Sequence, residues 1–278
     1  MTNKTLNLGG RLVSLQKPAI MGILNVTPDS FFDGDRYIDE KAILLQVEKM
    51  LTGGATFVDV GGYSTRPGAA EIPAEEEMKR ILSAIRPILK TFPKTLISID
   101  TFRNEIAKAA VDEGASMIND VSGGALDPKM FETVAQLKVP YILMHMRGNP
   151  QTMTSQTDYQ NLVKEVTDYF HQKLKELNRY NISDIIIDPG FGFAKTISQN
   201  FQLLNHLEHF NYLERPLLVG LSRKSMIWKT LKISPEEALN GSTALHAIAV
   251  LKGANMLRVH DVKEAHEVIE LINQLAPE

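Results

Sequence analysis

Short apolar runs alternate with amphipathic stretches along most of the chain. The runs are Met21–Val26, Thr56–Gly61, Leu96–Asp100, Met117–Val121, Tyr141–Met146, Ile185–Asp188, Leu217–Gly220 and Met256–His260, and each ends in polar or glycine-rich punctuation. Most are too uniformly apolar for strands with one wet face, which predicts parallel strands covered on both sides. The intervening pattern predicts helices over Glu40–Leu51, Glu75–Leu89, Asn104–Glu113, Tyr159–Arg179, Ser198–Leu207, Pro235–Lys252 and Val262–Leu275, with another beginning at Asp127-Pro128. Asp127-Pro128 reads as an N-cap followed by proline at the first helical position. Ser234-Pro235-Glu236-Glu237 reads as a capping-box start. Eight βα units predict an α/β fold, a (β/α)8 TIM barrel. A doubly wound sheet is the runner-up, disfavoured because no composition break or linker marks two halves. Residues 1–278 are therefore expected to form one barrel domain. Leu6–Ile20, with Gly9-Gly10 between apolar stretches, is expected to form a short N-terminal β-hairpin capping the barrel bottom.

Active sites of such barrels sit at the C-terminal ends of the strands, and here every strand end is charged or amide-bearing. Strand one ends in Asn25, with Thr27, Asp29, Ser30 and Asp33 after it. Strand two carries Asp59 and then Tyr63-Ser64-Thr65-Arg66-Pro67-Gly68. The later strands supply Asp100, then Asn119-Asp120, then His145 and Arg147, then Asp188, then Ser222-Arg223-Lys224-Ser225, and finally Arg258, His260 and Asp261. Such groups in one mouth cost desolvation unless something pairs with them. Internal salt bridges are one answer, and for Asp59, Asp120 and His145 a structural role is the plainer expectation. A ligand is the other. Asp100, Asn119 and Asp188 can accept from adjacent ring N–H and amine groups, while Lys224 donates, which fits the amino-pyrimidinone edge of a purine or pterin. Arg66, Arg258 and His260 suit a diphosphate. Asn25 offers a hard oxygen to Mg²⁺, and Ser225 stands where a helix N-terminus begins.

Composition narrows the picture. Of 278 residues, 44% are hydrophobic and 23% charged, with a net charge of -3, so no basic footprint for nucleic acid or membrane is expected. There is no cysteine, which excludes disulfides, thiolate zinc sites and a cysteine nucleophile. The start lacks the apolar core of a secretory leader, and no apolar run approaches the ~20 residues of a membrane span. A cytoplasmic location is the expectation. Phosphate-loop, dinucleotide, zinc-protease, nucleophile-elbow and EF-hand signatures are absent.

The stretch Met21-Gly22-Ile23-Leu24-Asn25-Val26-Thr27-Pro28-Asp29-Ser30-Phe31 resembles the opening motif of the dihydropteroate synthases. So, in order, do Ser64-Thr65-Arg66-Pro67-Gly68-Ala69, Ser98-Ile99-Asp100-Thr101, Ile118-Asn119-Asp120-Val121-Ser122-Gly123-Gly124, Met144-His145-Met146, Asp188-Pro189-Gly190-Phe191-Gly192-Phe193, Ser222-Arg223-Lys224-Ser225 and Arg258-Val259-His260-Asp261. The resemblance implies a transferase of folate biosynthesis and a sulfonamide target that joins a dihydropterin-methyl diphosphate to 4-aminobenzoate with Mg²⁺. It implies a pterin floor of Asp100, Asn119, Met144, Asp188 and Lys224. It implies a diphosphate rim of Asn25, Arg66, Arg258 and His260, with Asn25 on the metal. It implies a 4-aminobenzoate pocket of Phe31, Thr65, Pro67, Phe193, Lys224 and Ser225, and a loop acid at Asp33. The catalytic set it implies is Asp33, Arg66, Lys224, Arg258 and His260, working in a homodimer. Two departures stand out. Tyr63 replaces a glutamate common in the family, and Phe32-Asp33-Gly34-Asp35 replaces Ser-Asp-Gly-Gly; both are expected on mobile loops. A corrinoid methyltransferase on the same barrel would share Asp100, Asn119 and Asp188 but would not need Ser-Thr-Arg-Pro-Gly or Ser-Arg-Lys-Ser. A non-catalytic pterin-binding protein is the remaining alternative.

Overall fold

In the computed structural model, residues 4–27, 32–33, 37–64 and 71–275 are described, with 32, 33, 37 and 38 described by their backbone. The strands are β1 (Thr5–Leu8), β2 (Arg11–Ser14), β3 (Ala19–Asn25), β4 (Phe32–Asp33), β5 (Tyr37–Ile38), β6 (Phe57–Gly61), β7 (Leu96–Asp100), β8 (Met117–Asp120), β9 (Tyr141–Met144), β10 (Ile185–Asp188), β11 (Leu218–Val219) and β12 (Met256–Val259). The helices are α1 (Glu40–Thr52), α2 (Ala74–Thr91), α3 (Asn104–Asp112), α4 (Met130–Leu137), α5 (Leu162–Arg179), α6 (Ile197–Asn205), α7 (Ser225–Leu231), α8 (Leu239–Leu251) and α9 (Val262–Asn273).

Eight strands pair in parallel in the order β10-β9-β8-β7-β6-β3-β12-β11. A parallel bridge between Ile187 and Leu217 joins β10 to the start of β11. The sheet thus curls into the expected barrel, ringed by the helices. Strand residues alternate faces. Ile97 and Ile99 of β7, Val58 and Val60 of β6, and Ile185 and Ile187 of β10 face outward into the core beneath the helices. Their neighbours Leu96, Phe57 and Ile186 face the barrel axis, with Met21, Met117, Ile142, Leu218 and Met256. The β1–β2 hairpin turns at Gly9 and Gly10, both at positive φ (62° and 95°). It delivers Leu6 and Leu8, with the following Leu15, onto that axial cluster, closing the barrel bottom as the sequence predicts.

Three helix starts differ from expectation; α5 begins at Leu162, three residues after Tyr159, with Asn161 as its N-cap. Residues 235–238 are turn and the helix begins at Leu239. Only half of the expected box at Ser234 forms, its N–H donating to Glu237 Oε2 at 2.9 Å, while Glu237 N–H donates to the Ser234 carbonyl at 3.2 Å and closes a turn. Asp127 does not begin α4, which starts at Met130. Its carboxylate instead accepts from Asn104 N–H at 2.8 Å and Nδ2 at 2.7 Å, capping α3 from the next βα loop, and from Lys129 N–H at 3.0 Å.

Candidate active site

The inner face of most of the strands turns polar near the C-terminal end, β9 keeping an apolar residue there. Two residues beyond each axial apolar residue lies Asp59 on β6, Asn119 on β8, Met144 on β9, Asp188 on β10 and Arg258 on β12; Asp100 on β7 lies four beyond Leu96. Period-two geometry therefore stacks a polar ring on an apolar floor. Gly61 opens the ring between β3 and β7: a side chain there would come within 3.5 Å of Asp100 Cβ and 3.7 Å of Asn25 Oδ1.

Arg258 bridges the ring. Its Nε donates to Asp59 Oδ2 at 2.6 Å and its Nη2 to Asp100 Oδ2 at 2.5 Å. Asn119 Nδ2 donates to the same Asp59 oxygen at 3.0 Å. Asp59 is fully buried, and its role is to orient Arg258 and Asn119. Burial pushes the Asp100 carboxyl up to about 7; Arg258 opposes the rise and Asp59 adds to it. Burial disfavours the Arg258 cation, but Asp59 and Asp100 outweigh it and hold the guanidinium above its ordinary value. Arg258, expected from sequence in an anion rim, thus contacts Asp100, expected in a pterin floor.

Across the ring, Asp188 Oδ1 accepts from Gly190 N–H at 2.8 Å. Burial raises its pKa, with Lys224 opposing. Lys224 arches under the loop after β10, donates to the Phe191 carbonyl and lies 4.6 Å from the Phe193 ring centroid. Burial lowers its pKa to about 8, against the pull of Asp188. The lysine fits there because position 192 has no side chain; a Cβ on Gly192 (φ 79°) would stand 2.9 Å from Lys224 Cδ. The turn before Lys224 is shaped by Arg223, at φ 54°, whose Nε and Nη2 grip Asp261 at 2.9 and 2.7 Å. Arg223 therefore ties the β11 and β12 loops together rather than facing a ligand. Ser225 is the first residue of α7. His260 donates its N–H to Ser222 Oγ at 3.2 Å, with its Nδ1 3.1 Å from the same hydroxyl.

The structure brings together Asn25, Asp100, Asn119, Met144, Asp188, Phe193, Lys224 and Arg258 on neighbouring strand ends and loops. Phe31, Thr65, Arg66 and Pro67 lie outside the described residues, as does the side chain of Asp33. Asp120 faces away from the ring. It accepts from Ser122 N–H and Oγ, both at 2.7 Å, from Gly124 N–H at 2.8 Å and from Tyr141 Oη at 2.7 Å, which shapes the β8 loop. Arg147 pairs with Glu165 at 2.5 Å and stacks 3.8 Å over the Tyr159 ring. Tyr63 is not on a loose loop. It is buried, meets Phe102 edge-on at 5.3 Å and accepts from Gln151 Nε2 at 3.1 Å, so an aromatic fills a packed site where a carboxylate would need a partner. Lys195, which the sequence reading passed over, is buried at 8% exposure among three acceptors; its one signal was its place two residues after Phe193.

Among the described residues no three His, Asp or Glu side chains gather to hold a metal. Mg²⁺ binds few protein groups and relies on water and phosphate oxygens, so the side-chain oxygen of Asn25 at the mouth has the chemistry to fit an ion brought in with a diphosphate.

A parallel eight-stranded barrel with a polar ring at the carboxyl ends of its strands is the architecture of a TIM-barrel enzyme. Comparison with known proteins takes the assignment further. Residues 21–260 match the family model described as pterin binding enzyme. The dihydropteroate synthase of Escherichia coli K12 is 42% identical over 265 residues, covering 95% of this chain and 93% of that protein. That of Synechocystis is 43% identical, covering 92% and 89%. Among solved structures, a Xanthomonas albilineans dihydropteroate synthase with 4-aminobenzoic acid has a TM-score of 0.91 at 38% identity, covering 99% of this chain and 100% of that one. The same enzyme in complex with 7,8-dihydropteroate has a TM-score of 0.87 at 36% identity, covering 98% and 100%. The chain belongs to the pterin binding enzyme family.

Proposed function

We propose that this chain condenses (7,8-dihydropterin-6-yl)methyl diphosphate with 4-aminobenzoate to give 7,8-dihydropteroate and diphosphate, the dihydropteroate synthase reaction. The observation that carries the proposal is the inner ring of Asp100, Arg258, Asp59, Asn119, Asp188 and Lys224 on one barrel mouth. Buried carboxylates and an amide there match the N–H and amine groups of a pterin edge, and a site built for such groups rejects analogues lacking them. Near-full-length identity of about 40% to dihydropteroate synthases points the same way.

In this reaction the arylamine nitrogen bonds to the pterin methylene carbon as the bond from that carbon to the diphosphate oxygen breaks. The amine sheds one proton to solvent or to the departing diphosphate. A neutral arylamine needs no strong base. Asp188, Asn119 and Asp100 hold the pterin. Arg258 changes partners, from two carboxylates toward the leaving oxyanion, where His260 and Arg66 add charge; preset donors of this kind dominate electrostatic catalysis. Lys224 lies between the pterin and 4-aminobenzoate positions and fixes their relative placement. Phe193, Thr65, Pro67, Phe31 and Ser225 form the 4-aminobenzoate pocket, and Asp33 orders its loop. Asn25 would hold Mg²⁺, which would supply charge neutralisation for the departing diphosphate.

The chain is read as one barrel domain, cytoplasmic and homodimeric through the helices of the C-terminal half, where Leu231, Ile248, Leu251 and Leu271 are exposed. Among the described residues no helix is long and apolar enough to cross a membrane. Sulfonamides, as 4-aminobenzoate mimics, are expected to bind; a Yersinia pestis dihydropteroate synthase structure holds such a drug. The test is product analysis by mass spectrometry. The purified chain with both substrates and Mg²⁺ should form dihydropteroate, and omission of 4-aminobenzoate should abolish it. Bound pterin with no product would refute the assignment.

A further inference from the structure

The loop from Asp188 to Lys195 carries two groups assigned above to ligand binding, Asp188 and Phe193, and its backbone follows an uncommon course. Gly190 and Gly192 have φ of 72° and 79°, and Ala194, which has a Cβ to accommodate, has φ of 49°. Such a path persists only when the surroundings over-determine it. Lys195 occupies its inner side. The ammonium lies 3.0 Å from the Gly190 carbonyl, 3.1 Å from that of Phe193 and 3.0 Å from His145 Nδ1. As an ammonium, Lys195 has an acceptor for each of its three N–H groups, and His145 Nδ1 is then the unprotonated ring nitrogen. His145 stays neutral because burial pulls its pKa well down, with Lys195 adding to the effect. Burial pulls the Lys195 pKa down to about 7, against the opposing Asp188 carboxylate; charged or neutral, the amino group keeps N–H donors for both carbonyls. Lys224 donates to another carbonyl of the same loop, that of Phe191. Asn200 secures the far end, accepting from Gly192 N–H at 2.7 Å and donating to the Thr196 carbonyl at 2.7 Å. Gly190 packs against the His145 carbonyl so closely that an added Cβ would lie 2.0 Å from it.

We propose that Lys195 is a positioning residue for ligand binding: its ammonium pins the Gly190 and Phe193 carbonyls from inside the loop, so that Asp188, Phe193 and Lys224 face the ligand. The inference rests on the function proposed above. A merely structural lysine would affect how much protein folds; a positioning lysine affects how well the folded protein binds. Substituting Lys195→Met removes the donors and keeps the apolar stem. Steady-state kinetics on the folded variant should show KM for 4-aminobenzoate and for the pterin substrate raised about tenfold or more, since small misplacements of binding groups carry large costs, with kcat changed less than about threefold. Unchanged KM values would overturn the proposal, whatever happens to Tm. If Lys195→Met does not fold, Lys195→Gln, with one amide donor retained, is read the same way. Wild-type turnover measured alongside separates the two readings. An inactive wild type refutes the assigned reaction, whereas an active wild type beside an unaffected variant refutes only the role of Lys195.

Discussion

Replacing Arg258 by alanine removes the cation that bridges two buried carboxylates. The side chains of Asp59 and Asp100 are 0% and 7% exposed, and Arg258 contacts them at 2.6 and 2.5 Å. Removing one partner of a buried ionic group costs about 3–5 kcal/mol when the remaining charge has nowhere to go. Asp100 has an escape: burial already pushes its carboxyl up to about 7, and loss of the opposing Arg258 charge pushes it further. The folded pKa then lies above the unfolded value of about 3.9. The folded variant holds a proton that the unfolded chain releases, so its stability falls as pH rises until the folded pKa is passed. The wild type stops losing stability from this group near pH 7, while the variant goes on losing it above. The deficit in Arg258→Ala should therefore grow, by up to about 1.4 kcal/mol per pH unit above 7. Urea denaturation at about pH 6 and about pH 8 measures it. We expect a loss of about 3 kcal/mol at the lower pH and at least about 1 kcal/mol more at the higher one. Equal losses at both, or a total below about 1 kcal/mol, would refute the buried bridge. The variant should also bind free pterin about tenfold more weakly, because a protonated Asp100 accepts poorly; the split into floor and rim read from sequence predicts no such effect.

Other outcomes follow from the same geometry. Lys224→Ala should raise KM for both substrates at least tenfold, and because burial lowers the Lys224 pKa to about 8, wild-type substrate affinity should fall as pH rises through that value while the variant lacks this step. Gly192→Ala places a Cβ at φ 79°, 2.9 Å from Lys224 Cδ, so steady-state kinetics should show weaker binding of both substrates, and thermal unfolding a loss of about 1–2 kcal/mol. Tyr63→Phe loses one hydrogen bond from Gln151 and keeps the ring packing; stability should drop by about 1 kcal/mol or less, with turnover within a few fold of wild type.

The barrel was legible because eight buried strands must read as apolar runs, and because glycine and proline punctuate them. The polar ring was legible for a subtler reason. Asp59, Asn119, Asp188 and Arg258 fall two residues after an axial apolar residue, so the inner face is a mixed column even where the whole run looks apolar. Pairing was not legible. Arg258 meets Asp59 across 199 positions and Asp100 across 158, and no local pattern encodes that choice. Lys195 was missed because its partners are two nearby carbonyls and a histidine 50 positions away, and carbonyls leave no trace in side-chain composition. Tyr63 was misplaced on a mobile loop because its partners Phe102 and Gln151 come from two other βα loops. The turn at 235–238 was read as helix because local cap chemistry at Ser234 and Glu237 exists without the helix following at once.

The most direct test of the central claim is diphosphate release from (7,8-dihydropterin-6-yl)methyl diphosphate in the presence of Mg²⁺, followed with and without 4-aminobenzoate. The account predicts release that depends on the arylamine, with one diphosphate for each dihydropteroate formed. Tight pterin binding with no 4-aminobenzoate-dependent release would contradict it and leave the barrel a pterin-binding protein without this chemistry.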